Sequence, residues 1–288
     1  MKVLISADME GTCGVVSWVQ VMPPEVAGGD EPSSTVEYER ARARMTREVN
    51  AAIEGALAGG AEEVVVNDSH DGMRNLVPEE LHPSCRFISG NDKAFGMVQG
   101  VDLDGVGALF LTGYHAKAGT PDAPLAHTWN GWINDVRLDG RSVGEVGLNA
   151  AVAGHFGVPV ALVTGDDKAV VQARELLGEP VVGVVVKEGI STFAALHLHP
   201  AEAQRRIRDG AEEAARRALA GDLRPWLLPR TSRVEVEFDH QTRADQACYV
   251  PGVERVGERA IAYHPADGID FIRTFRAAVK AAAVRMSP

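Results

Sequence analysis

Basic residues are scarce in this chain. Its 29 Lys+Arg stand against 40 Asp+Glu, a formal net charge of −11. Nucleic-acid binders present a basic face, and anionic membrane surfaces attract basic clusters, so neither partner is expected. Cysteine is scarce too: Cys13, Cys85 and Cys248 are an odd three without CxxC spacing. That argues against a disulfide framework and fits a reducing, cytoplasmic compartment. Long apolar runs are missing. The N-terminal run from Val3 to Ala7 is interrupted by Asp8 and Glu10, too short and too acidic for a signal peptide, and no stretch approaches the ~20 apolar residues of a membrane span. The phosphate-loop motif GxxxxGK, a GxGxxG after a strand, HExxH and GxSxG are all absent. Sequence support for NTPase, dinucleotide, zincin and serine-hydrolase chemistry is therefore lacking.

What is present is a globular chain with a regular rhythm. At roughly 150 residues per domain, 288 residues make one large domain or two ordinary ones. Short β-branched runs at 3–7, 63–66, 108–111, 158–163 and 181–186 alternate with helical patterns in the first part of the chain. In 38–58, Ala41, Met45, Val49, Ile53 and Leu57 recur at four-residue steps, and Gly59-Gly60 ends the stripe. Residues 144–156 read as a second helix. Buried strands alternating with helices predict an α/β fold built on a mostly parallel sheet flanked by helices. Beyond 180 the rhythm changes: a charged helix over 200–220, a linker marked by Pro225, Pro229 and Arg230, a one-faced strand over 233–238, a strand over 259–263 and a last helix over 266–284. This predicts a smaller C-terminal α+β domain, with the boundary near 190: residues 1–190 and 191–288. The Pro-, Gly- and acid-rich stretch 23–35 reads as a loop.

The informative pattern is where ionisable residues fall. The first strand runs into Asp8-Met9-Glu10, the second into Asn67-Asp68-Ser69-His70, and that at 108–111 into Gly113-Tyr114-His115. In open parallel sheets ligands bind at the carboxyl ends of strands, where these residues would converge. Asp8 and Glu10, two apart in extended chain, point to one side. Two carboxylates joined by imidazoles make a mixed N/O site suited to Zn²⁺ or a similar divalent ion. Each residue alone has a bland reading, since DxE is common and a histidine after a strand is often a satisfied polar residue. Glu145, at a helix start, is either a fifth ligand or a carboxylate favoured by the helix dipole. Cys13 has no evident histidine partner and reads as a buried structural thiol. His197 and His199 alternate like ligands but precede a helix and read as a solvated turn. Trp129 and Trp132 flank Asn130-Gly131 and could line a pocket.

SADMEG at 6–11, VNDSHDGM at 66–73, LHP at 81–83, ISG at 88–90, GYHA at 113–116, VGEVGLNA at 143–150 and VPVALVTGDDKA at 158–169 resemble, in order and near-family spacing, the M55 metallopeptidases, the DppA-type D-aminopeptidases. The resemblance runs from residue 1 to about 195 and is weaker beyond, as at Pro251-Gly252. It implies an aminopeptidase with two Zn²⁺ per subunit, Asp8, Glu10, His70, His115 and Glu145 as ligands, and a non-ligand catalytic histidine at His127. It also implies a homodecamer of two stacked pentamer rings acting on short peptides with an N-terminal D-residue such as D-Ala. The loop between Gly14 and Tyr38 is longer than in the family's best-known form, and a small insertion lies near His127.

On this reading Asp8 bridges two ions, Glu10 and His115 complete one, and His70 and Glu145 the other. Such a pair lowers the pKa of a water and polarises the scissile carbonyl. The family describes the histidine as a nucleophile; acid–base or electrostatic duty is the better physical reading for His127, since activated water already supplies a nucleophile. Two other readings use the same pocket: a metal-dependent amidase on a non-peptide or β-amino substrate, and a non-enzymatic peptide-binding protein.

Overall fold

Apolar runs too short for helices, such as Val3-Leu4-Ile5 and Val64-Val65-Val66, are buried to within 2 % and form the centre of a parallel sheet, where both faces are covered. The computed structural model describes residues 1–23, 34–229 and 232–285. In chain order the elements are β1 (Lys2–Ala7), α1 (Trp18–Val21), α2 (Thr35–Ala58), β2 (Glu63–Asp68), β3 (Cys85–Ile88), β4 (Val106–Tyr114), β5 (Ile133–Leu138), β6 (Arg141–Val143), α3 (Glu145–His155), β7 (Val160–Asp166), α4 (Asp167–Leu177), β8 (Val182–Ser191), β9 (Ala194–His197), α5 (Pro200–Ala220), β10 (Val234–Phe238), α6 (Gln241–Ala247), β11 (Glu254–Arg255), β12 (Ala260–Tyr263) and α7 (Gly268–Ala282). Most of the 23–35 loop and Arg230 of the expected linker lie outside the described residues.

The first sheet has the order β3-β2-β1-β4-β7-β8-β9, parallel except for β9 at its edge. Alternation along its strands feeds two cores. Val3, Ile5 and Ala7 of β1 and Phe110 of β4 pack under α2 and α5. Leu4, Leu109 and Leu111 face the opposite core, shared with α3 and α7. The predicted stripe of α2 holds: Ala41, Met45, Val49 and Ile53 are buried, and Leu57 packs at the margin. Helices α2 and α5 approach closely because Gly55 is small; a Cβ there would overlap the carbonyl of Arg208.

The second sheet is antiparallel, in the order β11-β12-β10-β5-β6. Val234, Val236 and Phe238 of β10 point into its core while Glu235 and Glu237 point outward, as the alternation predicts. The mostly parallel sheet with a smaller α+β unit is thus present, but the two sheets do not divide the chain at 190. That position lies within β8, which pairs with β9. β9 and α5 belong to the first sheet's layers, and β5 and β6 join the second sheet beside β10. The reason is pairing: β5 completes β10 on the edge opposite β12, a long-range match invisible to local rhythm.

Candidate metal centre

β2, β1 and β4 are neighbours in the sheet, so residues leaving their carboxyl ends must meet. Asp8 and Glu10 follow β1, His70 follows β2 and His115 follows β4. Close passage of the β1 and β4 exits depends on Gly11 and Gly113: the Gly11 N–H donates to the Gly113 carbonyl at 2.7 Å, and a Cβ on either would overlap backbone of the other segment. Gly113 also takes φ +70, a region that favours glycine.

All five expected ligands are buried together, at 3–5 % exposure. Asp8, Glu10 and His70 form one group, and His115, His127 and Glu145 a second, with ligand atoms inside each within 4.8 Å of one another. The groups touch where His115 Nε2 lies 3.5 Å from Asp8 Oδ2. The pairing differs from the expected partition. His70 Nδ1 stands beside Glu10 at 2.9 Å, and His115 Nε2 beside Glu145 at 3.5 Å. Adjacent strand exits β1 and β2 bring Glu10 to His70; the β4 exit faces the start of α3. Glu145 does not cap its own helix. Its Oε1 accepts the Trp129 N–H at 2.7 Å and turns toward the two imidazoles.

Backbone carbonyls set the tautomers. His70 Nε2 donates to Val21 O at 2.9 Å, His115 Nδ1 to Ala116 O at 3.0 Å, and His127 Nδ1 to Leu125 O at 2.8 Å. Each ring therefore turns its other nitrogen toward the carboxylates, the arrangement by which outer contacts orient metal-binding histidines. For neutral rings, those lone pairs would face carboxylate oxygens with nothing positive between them. Asp8 Oδ2, Glu10 Oε2 and His115 Nε2 are buried without a hydrogen-bond partner. Unpaired buried charge is costly, and two divalent cations among these atoms would satisfy all three. The donor set fits zinc.

With protons as the only cations, the cluster ionises unevenly. Burial and the neighbouring Glu10 push Asp8 up to about 7. Burial resists charge on Glu10, but His70 outweighs it and holds that carboxyl well below the usual range. Burial likewise disfavours imidazolium at His115, yet Glu145 and Asp8 raise it to about 10. His127 is different: burial and the adjacent His115 lower its pKa, so it is neutral at pH 7. Its ring stacks on His115 at 4.1 Å, meets the edge of Trp18 at 5.3 Å, and leaves 14 % of its side chain open. Nε2 lies 3.8 Å from Glu145. It borders a cleft of about 1170 Å³ that runs from the cluster past Trp129 and Trp132 to α7.

Further residues hold the site in place. Asp68 accepts the N–H groups of Asn75 and Leu76 at 2.5 and 2.7 Å and so closes the loop that carries His70. Lys187 on β8, fully buried, donates its ammonium to the carbonyls of Glu10, Thr12 and Val15, bracing the turn after β1. A lone lysine in the apolar run Val182–Val186 and beyond was its only sequence signal. The Val21 carbonyl left none. Of the expected solvated turn at 197–199, His199 is exposed and caps α5 by accepting the Ala201 N–H, but His197 is corrected: it ends half-buried β9, and its Nδ1 accepts the Gly14 N–H at 3.0 Å. Neither joins the cluster; the backbone donors of the β1 exit and of α5 claim their ring nitrogens. Cys13 is inert, pushed up to about 11 by burial and Glu48.

Fold and site together place a cluster of carboxylate and imidazole donors that could hold metal at the carboxyl edge of a parallel sheet. The family model for M55 D-aminopeptidases matches residues 1–277. A D-aminopeptidase of Bacillus subtilis strain 168 is 38 % identical over 271 residues, covering 94 % of this chain and 93 % of the relative. A solved structure of the Zn-dependent D-aminopeptidase DppA from Bacillus subtilis, described as a self-compartmentalizing protease, superposes with TM-score 0.89 and 34 % identity over 100 % of both chains. The chain belongs to the M55 D-aminopeptidase family. No helix among the described residues is long and apolar enough to cross a membrane.

Proposed function

We propose that this protein is a zinc aminopeptidase that removes an N-terminal D-amino acid, such as D-Ala, from short peptides, with two ions per subunit. The observation that carries the reading is the buried pair of ligand groups joined through Asp8, with Asp8 Oδ2, Glu10 Oε2 and His115 Nε2 left without a hydrogen-bond partner. Asp8, Glu10 and His70 would hold one ion, and His115 and Glu145 the other, with Asp8 between them. When bound, divalent ions polarise the scissile carbonyl and lower the pKa of the attacking water.

The chain's own residues supply the remaining steps. Neutral His127 borders the cleft beside Glu145 and can take a proton from the attacking water and return it to the leaving amine nitrogen. Its Nδ1–H bond to Leu125 keeps Nε2 available for that transfer. Trp18 against His127 walls one side of the cleft from solvent. The D-specificity, the choice of zinc and self-compartmentalization draw on the Bacillus subtilis D-aminopeptidase and the DppA structure, and the decamer on the resemblance in sequence. Three free cysteines support a reducing, cytoplasmic setting.

The test is hydrolysis of D-Ala-Gly-Gly and L-Ala-Gly-Gly by zinc-loaded protein, with a chelated control. Chelator-sensitive cleavage of the D-peptide alone is expected. Cleavage of the L-peptide instead would refute the stereochemical assignment, and chelator-resistant cleavage would refute the metal reading. Binding without cleavage would favour a peptide-binding protein.

A further inference from the structure

The cleft is not uniform in charge. At one end stand the ligand carboxylates. At the other, α7 contributes Arg276 and Lys280 to the wall. These two cations are four residues apart and lie on one helix face, a mildly repulsive arrangement in isolation. No acid stands three or four residues from either: those positions hold Ile272, Arg273, Val279, Ala277, Ala283 and Val284 besides the pair itself. The sole acid of α7, Asp270, accepts the Ala266 N–H in the first turn. The helix dipole favours a cation in the last turn, but it does not call for Arg276 one turn earlier in a cavity wall. Nor does overall composition, since the chain carries a net charge of −11. Arg276 is held in position: Nη1 donates to the carbonyls of Lys93 and Ala94. Asp92 also borders the cleft beside this anchor and trims the positive field there; Lys280 lies a helical turn beyond.

Trp129 measures the distance between the ends. Its N–H binds Glu145 at 2.7 Å, its ring meets Phe275 of α7 edge-on at 5.1 Å, and both its ring and the Arg276 side chain come within 4 Å of a Cβ built on Gly96. It holds φ +68, a strained value for a bulky residue that the Glu145 bond offsets. One tryptophan thus separates the metal-ligating carboxylates from the cationic wall, the reach of one or two extended residues at ~3.5 Å each.

Resting on the aminopeptidase reading, we infer that Arg276 and Lys280 form a subsite for the free C-terminal carboxylate of the substrate, restricting the enzyme to di- and tripeptides with an unblocked C-terminus. The peptide lies with its N-terminal residue at the metal-binding residues and its carboxylate at α7, so the cationic wall fixes its register and rejects interior segments of longer chains.

Two measurements on the full zinc-loaded protein decide this. The first compares kcat/KM for D-Ala-Gly-Gly and its C-terminal amide. The free acid is expected to be favoured about tenfold, equivalent to ~1.4 kcal/mol, with the ratio falling toward one in Lys280→Ala and Arg276→Gln. Equal rates for acid and amide in the parent protein, or an unchanged ratio in both variants, would overturn the subsite. The second is calorimetric binding of Gly-Gly and glycinamide-terminated Gly-Gly. Tighter binding of the free acid, lost in Lys280→Ala, supports the subsite even if neither tripeptide is cleaved, an outcome that would remove the aminopeptidase reading alone. Equal binding overturns the subsite whatever the hydrolysis shows.

Discussion

At the scale of single residues, the cluster separates into groups that ligate and one that moves protons. Within the cluster, His127 is the imidazole whose pKa falls, because burial and His115 both oppose its charge. His127→Ala should lower turnover by about 10² to 10⁴, the range for a positioned acid–base group, while zinc per subunit by plasma mass spectrometry stays at the parent value. Loss of metal together with turnover would make it a ligand instead. Asp8 joins the two groups, through His70 at 3.3 Å and His115 at 3.5 Å. Asp8→Ala should therefore deplete both metal positions, not one; retention of half the zinc would show that it does not bridge. His197 offers a separate test, remote from catalysis. Burial and the Lys187 ammonium push its pKa down to about 4 from an ordinary 6.5. The unfolded chain takes up this proton below 6.5 while the fold resists it until about 4. The contribution to stability is therefore full above 6.5 and is lost as pH falls toward 4. His197→Asn keeps an acceptor for the Gly14 N–H without the titration. Urea midpoints at pH 7 and 5 should drop further in the parent than in the variant; equal drops would contradict the assigned shift.

At the scale of elements, what was legible in the sequence was what local pattern encodes. The stripe of α2 and the Gly59-Gly60 stop gave a helix ending where the structure ends it, at Ala58. Polar residues just past apolar runs located Asp8, Glu10, His70 and His115, since a parallel sheet brings neighbouring strand exits together. What stayed hidden depends on pairing between distant segments. β5 joins β10 across about a hundred residues, so a boundary near 190 followed the change of rhythm but not the sheets. The pairing of ligands was hidden for the same reason: which imidazole meets which carboxylate depends on strand order, and β2-β1-β4 sets Glu10 beside His70. Backbone groups leave no trace in residue type, so the Val21 carbonyl that fixes the His70 tautomer could not be read. That contact makes α1 part of the site's support.

At the scale of the whole molecule, the cleft lies where the two sheets' shared core opens, with the parallel sheet supplying metal donors and α7 supplying the opposite wall. An assembly that encloses such clefts would admit short peptides and exclude folded proteins. On the decamer that the resemblance in sequence implies, sedimentation equilibrium should give a mass near ten times the 30.7 kDa chain; a monomer retaining full peptidase activity would show that enclosure is not needed. The central claim is that Asp8, Glu10, His70, His115 and Glu145 together hold two catalytic ions. It is tested most directly by adding zinc stepwise to chelated protein while following both bound metal and hydrolysis of D-Ala-Gly-Gly. Turnover should climb with bound zinc and level off at two per subunit. A plateau at one, or turnover undiminished in the chelated protein, would contradict it.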